Sequence, residues 1–173
     1  MAKRGDAGTP ALKLLADRGV VHTPRPYATS AHAGDGPGFG DDAVRALREA
    51  GLDVDEHRVF KTLLADVDGR LVCAVVPVAG MLDLKALAAA AGGKKAAMAD
   101  PARAQRSSGY VVGGISPIGQ RSALPTYVDT SAEGFATVLV SAGRRGLQVE
   151  LAPADLLAVT GARTAPVSRP VSR

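Results

Sequence analysis

Two stretches of the chain hold residues able to do chemistry. The first is Phe60-Lys61-Thr62-Leu63-Leu64. Alternate side chains of a strand point to opposite faces. Lys61 therefore shares a face with Val59, Leu63 and Ala65, and Thr62 shares the other with Phe60 and Leu64. Both faces are apolar. A lysine held among apolar groups needs an anionic or carbonyl partner, or it gives up its charge. At a sheet edge the same residue can instead lay its stem on apolar surface and keep its ammonium in water. The second stretch is 109–120, where Tyr110, Val111 and Val112 lead into Gly113-Gly114, a Ser116-Pro117 turn and Gly119. Glycine admits positive φ and lets a ligand approach the main chain. Proline fixes its own φ and pushes Ser116 toward an extended conformation. The pattern predicts a strand ending at Val112 and a rigid turn that offers backbone N–H groups. Such a turn is either a tight loop with no ligand or a wall against which one lies.

Other catalytic patterns do not stand out. Cys73 is the one cysteine and sits in Leu71-Val72-Cys73-Ala74-Val75-Val76, which reads as a buried strand. It is expected to be a small core hydrophobe, not a nucleophile. His22, His32 and His57 show no metal-ligand spacing, so no metal and no cofactor is expected. The glycine loop lacks the Lys-Ser or Lys-Thr of a phosphate-binding loop, and no Gly-x-Ser-x-Gly elbow is present. Tyr27 follows two prolines and Phe39 lies between glycines. Each either stacks on a base or ribose or plugs an edge of the core.

The elements that must position these residues follow from the rest of the pattern. The chain has 173 residues, enough for one compact domain with a real core. Aromatics make up only 3% against 46% hydrophobic residues, so Ala, Val, Leu and Ile must build that core. The formal charge is +4, which suits a polyanionic partner without requiring one. No run approaches the ~18 apolar residues of a membrane span, and the N-terminus lacks the apolar run of a signal peptide. A cytoplasmic protein with no membrane partner is expected. Helices are predicted near 11–18, 41–50, 84–91, 102–106 and from Pro153 to Gly161. Strands are predicted at 20–27, 59–65, 71–78, 126–129, 135–141 and 147–151, with a hairpin turn at Asp66-Val67-Asp68-Gly69. Residues 29–40 read as loop. Residues 1–8 and 163–173 read as disordered tails around a domain at 9–162. Strands outnumber helices and their connections are mixed, so the class is α+β around a mixed, mostly antiparallel sheet.

Taken as a set, several blocks resemble one family. They are Phe60-Lys61-Thr62-Leu63-Leu64, Met98-Ala99-Asp100, Gly109-Tyr110, Gly113-Gly114-Ile115-Ser116-Pro117-Ile118-Gly119-Gln120, Ser141-Ala142-Gly143-Arg144-Arg145-Gly146-Leu147 and Glu150-Leu151-Ala152-Pro153 with Asp155-Leu156. In this order and spacing they resemble the YbaK/EbsC family, free-standing relatives of the editing domain of bacterial prolyl-tRNA synthetase, over roughly residues 10–162. The nearest likeness is to its cysteinyl-tRNA(Pro) deacylases. The resemblance implies a barrel-like sheet surrounded by helices. It implies hydrolysis of the ester joining a wrong amino acid to the 3′ adenosine of tRNA, with prolyl-tRNA synthetase as a partner. It places Lys61, Gly113 and Gly114 in catalysis. It places Tyr27, Phe39, Thr62, Ile115, Ser116, Pro117 and Ser141 in substrate binding. The chain departs from the family pattern in Ala28-Thr29-Ser30 after the tyrosine, in the glycine-rich stretch before Phe39 and in Ala142 where glycine is common. The resemblance also implies chemistry without a protein nucleophile, through the substrate's own thiol or a ribose hydroxyl that activates water. Two other readings share the fold: a tRNA- or synthetase-binding module without turnover, and a deacylase for another substrate such as alanyl-tRNA(Pro).

Overall fold

The structure, a computed structural model, describes residues 8–29 and 39–171, with the side chains of 39–41 outside that description. Among the described residues there are five α-helices and ten strands. The first helix, α1 (Pro10–Asp17), starts where the Thr9 hydroxyl accepts the Leu12 N–H at 3.2 Å, and it buries Ala11, Leu12 and Leu15. Strand β1 (His22–Pro26) follows, then α2 (Phe39–Glu49). A hairpin of β2 (Phe60–Val67) and β3 (Arg70–Pro77) comes next. Its two-residue turn has positive φ at both Asp68 (51°) and Gly69 (91°), the conformation whose twist matches paired strands.

After the hairpin come β4 (Gly80–Leu82), α3 (Leu84–Ala90), β5 (Ala96–Met98) and α4 (Pro101–Ser108). The chain ends with β6 (Thr126–Asp129), β7 (Val138–Arg144), β8 (Leu147–Leu151), α5 (Pro153–Thr160), β9 (Arg163–Ala165) and β10 (Ser168–Pro170). A five-stranded sheet has the order β5-β2-β3-β6-β9, a three-stranded one β1-β8-β7, and β4 pairs with β10. Among the strand pairs of these sheets in the described residues, β3 with β6 and β6 with β9 run parallel and the others antiparallel. The α+β class and the mixed, mostly antiparallel sheet hold, although these sheets do not close into a barrel.

The large sheet divides the interior. Phe60, Leu64, Cys73 and Val75 face one core, shared with α1, β7, β8 and Leu156 of α5. Ala65, Val67, Val72, Ala74 and Val76 face a second, closed by Leu87 and Val167. A third cluster joins Val59, Val78 and Leu139 to Val44 and Leu47 of α2, with Tyr27 packed against it. β3 is buried on both faces because it lies between β2 and β6.

Two expectations need correction. Residues 109–112 form no strand. Gly109 takes a left-handed conformation (φ 79°) that ends α4, and the Val112 N–H donates to the Gln105 side chain at 2.9 Å, not to a neighbouring strand. The segment expected to be a disordered C-terminal tail instead contains β9 and β10. Its prolines and alternating Ser and Arg masked one core residue, Val167, which is 0% exposed. The predicted tail at 1–8 and loop at 29–40 fall mostly outside the described residues.

Glu150 of β8 ties the three-stranded sheet to the short turn Glu56–Arg58. It accepts from Arg25 Nη2 at 2.7 Å, Arg58 Nη1 at 2.9 Å and Thr137 Oγ1 at 2.6 Å. Burial alone would raise its pKa, but the bonds from Thr137, Arg58 and Arg25 outweigh burial and hold the carboxyl at about 2, against an ordinary 4.5. A depressed carboxylate pKa contributes stability above 4.5 that disappears as pH falls toward 2. The shift corresponds to stability on the order of 3 kcal/mol. Urea unfolding at several pH values should show a shallower acid loss in Glu150→Gln than in the parent. Parallel acid limbs for the two proteins would remove Glu150 as a main contributor.

Candidate active site

Lys61 lies on the face of β2 turned away from the first core, between Val59, in the third cluster, and Leu63, packed on the second. It is half-buried, and its Nζ donates to the Gly80 carbonyl at 2.9 Å. Of the two readings open for this lysine, the carbonyl-partnered one describes the structure. Thr62 points the opposite way, between Phe60 and Leu64, toward the first core, where Ile115 and Ile118 also pack. Its hydroxyl oxygen is buried and has no hydrogen-bond partner among the described residues. The strand thus separates Lys61 and Thr62 instead of bringing them together.

β7 supplies the next group. Val59 and Leu139 form a parallel bridge, so β2 and β7 set out side by side. Two residues further along each strand come Lys61 and Ser141. The Ser141 hydroxyl donates to the Gly114 carbonyl at 3.1 Å and accepts the Gly143 N–H at 3.2 Å. It therefore holds the glycine loop against the β7–β8 turn.

The loop is fixed along its length. The Gly114 N–H donates to Val111 O at 2.9 Å, closing a turn whose third residue, Gly113, has φ 89°. A glycine in that position is the mark of a type II turn. Gly114 is a glycine for another reason: a Cβ there would lie 2.9 Å from the Arg144 Cα. Arg145 Nη2 donates to Val112 O at 3.1 Å. The buried Tyr110 hydroxyl donates to Ile118 O at 2.7 Å, and burial pushes its pKa up to about 12. Ser116 is fully buried; its hydroxyl accepts the Ile118 N–H at 3.1 Å and its carbonyl accepts Gln120 Nε2 at 3.0 Å. Pro117 is buried beside it and Ile115 half-buried. Ser116 and Pro117 thus shape the loop from within. Of the two amides expected to face a ligand, that of Gly114 is spent on the turn. The Gly113 N–H donates to no main-chain carbonyl among the described residues.

Tyr27 reaches the same region, its N–H donating to Gly146 O at 2.9 Å and its ring packed against the third cluster. Phe39 opens α2, and its side chain lies outside the described residues. Cys73 is 0% exposed, and burial raises its thiol pKa to about 12, which disfavours the nucleophilic thiolate. Among the described residues, no three His, Cys, Asp or Glu side chains gather as a metal site, and no helix is long and apolar enough to cross a membrane. The Gly80 carbonyl, the Tyr110 staple and the Arg145 brace had no sequence signal. Any residue carries a carbonyl, so only the fold shows which one meets the lysine.

Residues 41–159 match the model of the aminoacyl-tRNA editing domain. The chain belongs to the aminoacyl-tRNA editing-domain family. It is 40% identical over 119 residues, 68% of this chain and 72% of the relative, to EbsC of Enterococcus faecalis, provisionally named a Cys-tRNA(Pro)/Cys-tRNA(Cys) deacylase. It is 30% identical over 95 residues to a proline–tRNA ligase of Moorella thermoacetica, covering 55% of this chain but 16% of the ligase. A crystal structure provisionally named a trans-editing enzyme for prolyl-tRNA synthetase superposes with a TM-score of 0.75 at 21% identity, covering 92% of this chain and 95% of that one. That likeness bears on the fold. The resemblance read from the blocks around Lys61, Gly113 and Ser141 is thereby met at the level of family and fold.

The unpaired Thr62 hydroxyl yields a stability prediction. An unsatisfied buried hydroxyl costs roughly 1–3 kcal/mol. Thr62→Val keeps the shape and removes the polar group, so its thermal midpoint should match or exceed the parent's. A clear drop in midpoint would mean that the hydroxyl is already satisfied in the folded protein.

Proposed function

We propose that this editing domain removes a wrong amino acid from tRNA by cleaving its ester to the 3′ adenosine, with cysteinyl-tRNA(Pro) as the preferred substrate. The observation that carries this reading is the match of residues 41–159 to the editing-domain family, a span that holds Lys61 and the Ser141-held glycine loop. The likeness to EbsC supports the cysteinyl specificity.

No step is assigned to a protein nucleophile. The substrate's thiol sulfur attacks its own ester carbonyl, a C–S bond forms, the ester C–O bond breaks, and the departing 3′ oxygen takes the thiol proton. The cyclic thiolactone released is then opened by water. The protein contributes position and charge. Holding thiol and carbonyl in an attacking geometry supplies several kcal/mol of the barrier reduction. The Gly113 N–H is the candidate donor to the developing oxyanion, since it is not used within the turn. Lys61 steadies the anionic intermediate or the terminal phosphate. Tyr27 and Phe39 are the proposed contacts to the aminoacyl-adenosine, while Thr62 and Ile115 face the first core, on the other side of β2 from Lys61, and act in packing. Gly114, Ser116, Pro117 and Ser141 act by holding the loop in place. Prolyl-tRNA synthetase is the proposed partner, because a small domain has little surface with which to read a whole tRNA. The reaction belongs to the cytoplasm, where tRNA is charged.

The deciding assay incubates the protein with cysteinyl-, alanyl- and prolyl-tRNA(Pro), with and without the synthetase, and measures ester loss. Faster loss from alanyl-tRNA(Pro) would replace the thiol-assisted route, because alanine has no thiol. Binding without ester loss would make the chain a binding module. Lys61→Ala should lower deacylation by about 10²-fold or more, as losses of oxyanion-stabilising groups do. Cys73→Ala should stay within about twofold of the parent in kcat/KM; inactivity of the well-folded variant would restore a protein nucleophile. Gly113→Ala forces a side chain into a left-handed conformation and should lower kcat. Unchanged kinetics would argue against close backbone approach at that turn.

A further inference from the structure

Lys61 does not hold its place alone. The carbonyl that receives its Nζ at 2.9 Å belongs to Gly80, in the three-residue strand β4. Among the described residues β4 pairs with one strand, β10, in the register Ser168↔Leu82, Arg169↔Met81 and Pro170↔Gly80. Pro170, opposite Gly80, has no N–H to compete for that carbonyl.

β10 lies beyond residue 159, where the match to the family model ends. It is anchored by a buried carboxylate. Asp129, at the end of β6, is 4% exposed, and its Oδ1 accepts the Val167 N–H at 3.0 Å and the Ser168 N–H at 2.9 Å. The Val167 carbonyl accepts the Asp83 N–H at 2.8 Å, just past β4, and the Val167 side chain fills the second core. β10 is thereby fastened to β6 at one side and to both ends of the β4 segment at the other. At the crossing, a Cβ on Gly80 would lie 3.1 Å from Arg169 O, a tight contact that would press the two backbones apart by a few tenths of an ångström.

We propose that residues 167–170 are a positioning element for the active-site lysine: anchored by Asp129, they hold β4 so that the Gly80 carbonyl fixes the Lys61 ammonium. This rests on the assignment of Lys61 to the deacylase site. Asp129, Gly80 and Ser168 are positioning residues, because they act through Lys61. Without the anchor, β4 loses its strand partner, its carbonyl moves, and the ammonium loses the acceptor that Gly80 supplies. Misplacement by about 1 Å can cost up to roughly 10²-fold in rate.

The test uses full-length chains with two readouts. One is the side-chain ammonium resonance of Lys61 in protein made with isotope-labelled lysine; the other is kcat and KM for cysteinyl-tRNA(Pro). Ser168→Pro removes the N–H given to Asp129, and Gly80→Ala presses on Arg169 O. Val171→Ala, at an exposed residue just past β10, is the control. The first two should shift or broaden the Lys61 resonance and lower kcat about tenfold, with KM little changed. The control should behave as the parent, and the amide signals of Phe60, Leu64 and Val75 should stay in place throughout. An unmoved Lys61 resonance in Gly80→Ala overturns the proposal, even where Ser168→Pro fails to fold. So does a Lys61 shift accompanied by loss of the core amide signals. A parent protein inactive on every aminoacyl-tRNA would defeat the functional reading, while the resonance would still decide the anchor.

Discussion

A lysine ammonium set into a sheet must keep a hydrogen-bond acceptor close, or the cost of removing it from water drives off its proton. Much of this structure can be read from that constraint. Lys61 sits on β2 between two apolar clusters, and the Gly80 carbonyl supplies its acceptor at 2.9 Å. A neutral carbonyl satisfies one of its donors without adding a negative charge. At Glu150 two arginines surround one carboxylate, and the result is a structural tie between β8, β1 and the Glu56–Arg58 turn.

The two adjacent glycines solve separate problems. Gly113 is required by its own backbone, at φ 89°. Gly114 is required by its neighbour, because the Arg144 backbone lies where its side chain would be. With Tyr110, Ser116, Arg145 and Ser141 bonding to the loop, little of it is free to rearrange. A loop already held in place does not have to be ordered when substrate arrives, which is what a preorganised electrostatic site requires.

Much of the fold was legible in local pattern. Thr9-Pro10 marked α1, Asp83 marked α3, and the doubly apolar run at 71–78 marked the central strand, because caps and burial act within a few residues. The errors came where the deciding contact was distant. Residues 109–112 look like a strand in composition, but Gly109 ends α4 and no strand lies alongside to pair with them. Residues 163–170 look disordered, but Val167 fills a core and Asp129, far away in sequence, receives its N–H. In the site, Lys61 and the glycine turn stood out as an unusual charge and an unusual backbone. The separation of Thr62 from Lys61 followed from strand alternation. The spending of the Gly114 amide did not, because it depends on which turn the chain closes.

The proposed site, built from main-chain donors, one lysine and packed apolar walls, constrains the chemistry it can support. Backbone groups stabilise charge well, but they cannot act as general bases at neutral pH, and the one thiol is locked away with its pKa near 12. On the proposed reading the reacting nucleophile enters with the substrate. Discrimination then lies in the chemistry as much as in the fit of the pocket. A correctly charged prolyl group brings no thiol, so it can occupy the site and still not react by that route. That matters because small side chains differ by only about 1–3 kcal/mol in binding, too little for an editing enzyme to rely on. On that proposal the glycine loop is a fixed surface on which a substrate able to attack itself is held in the geometry to do so.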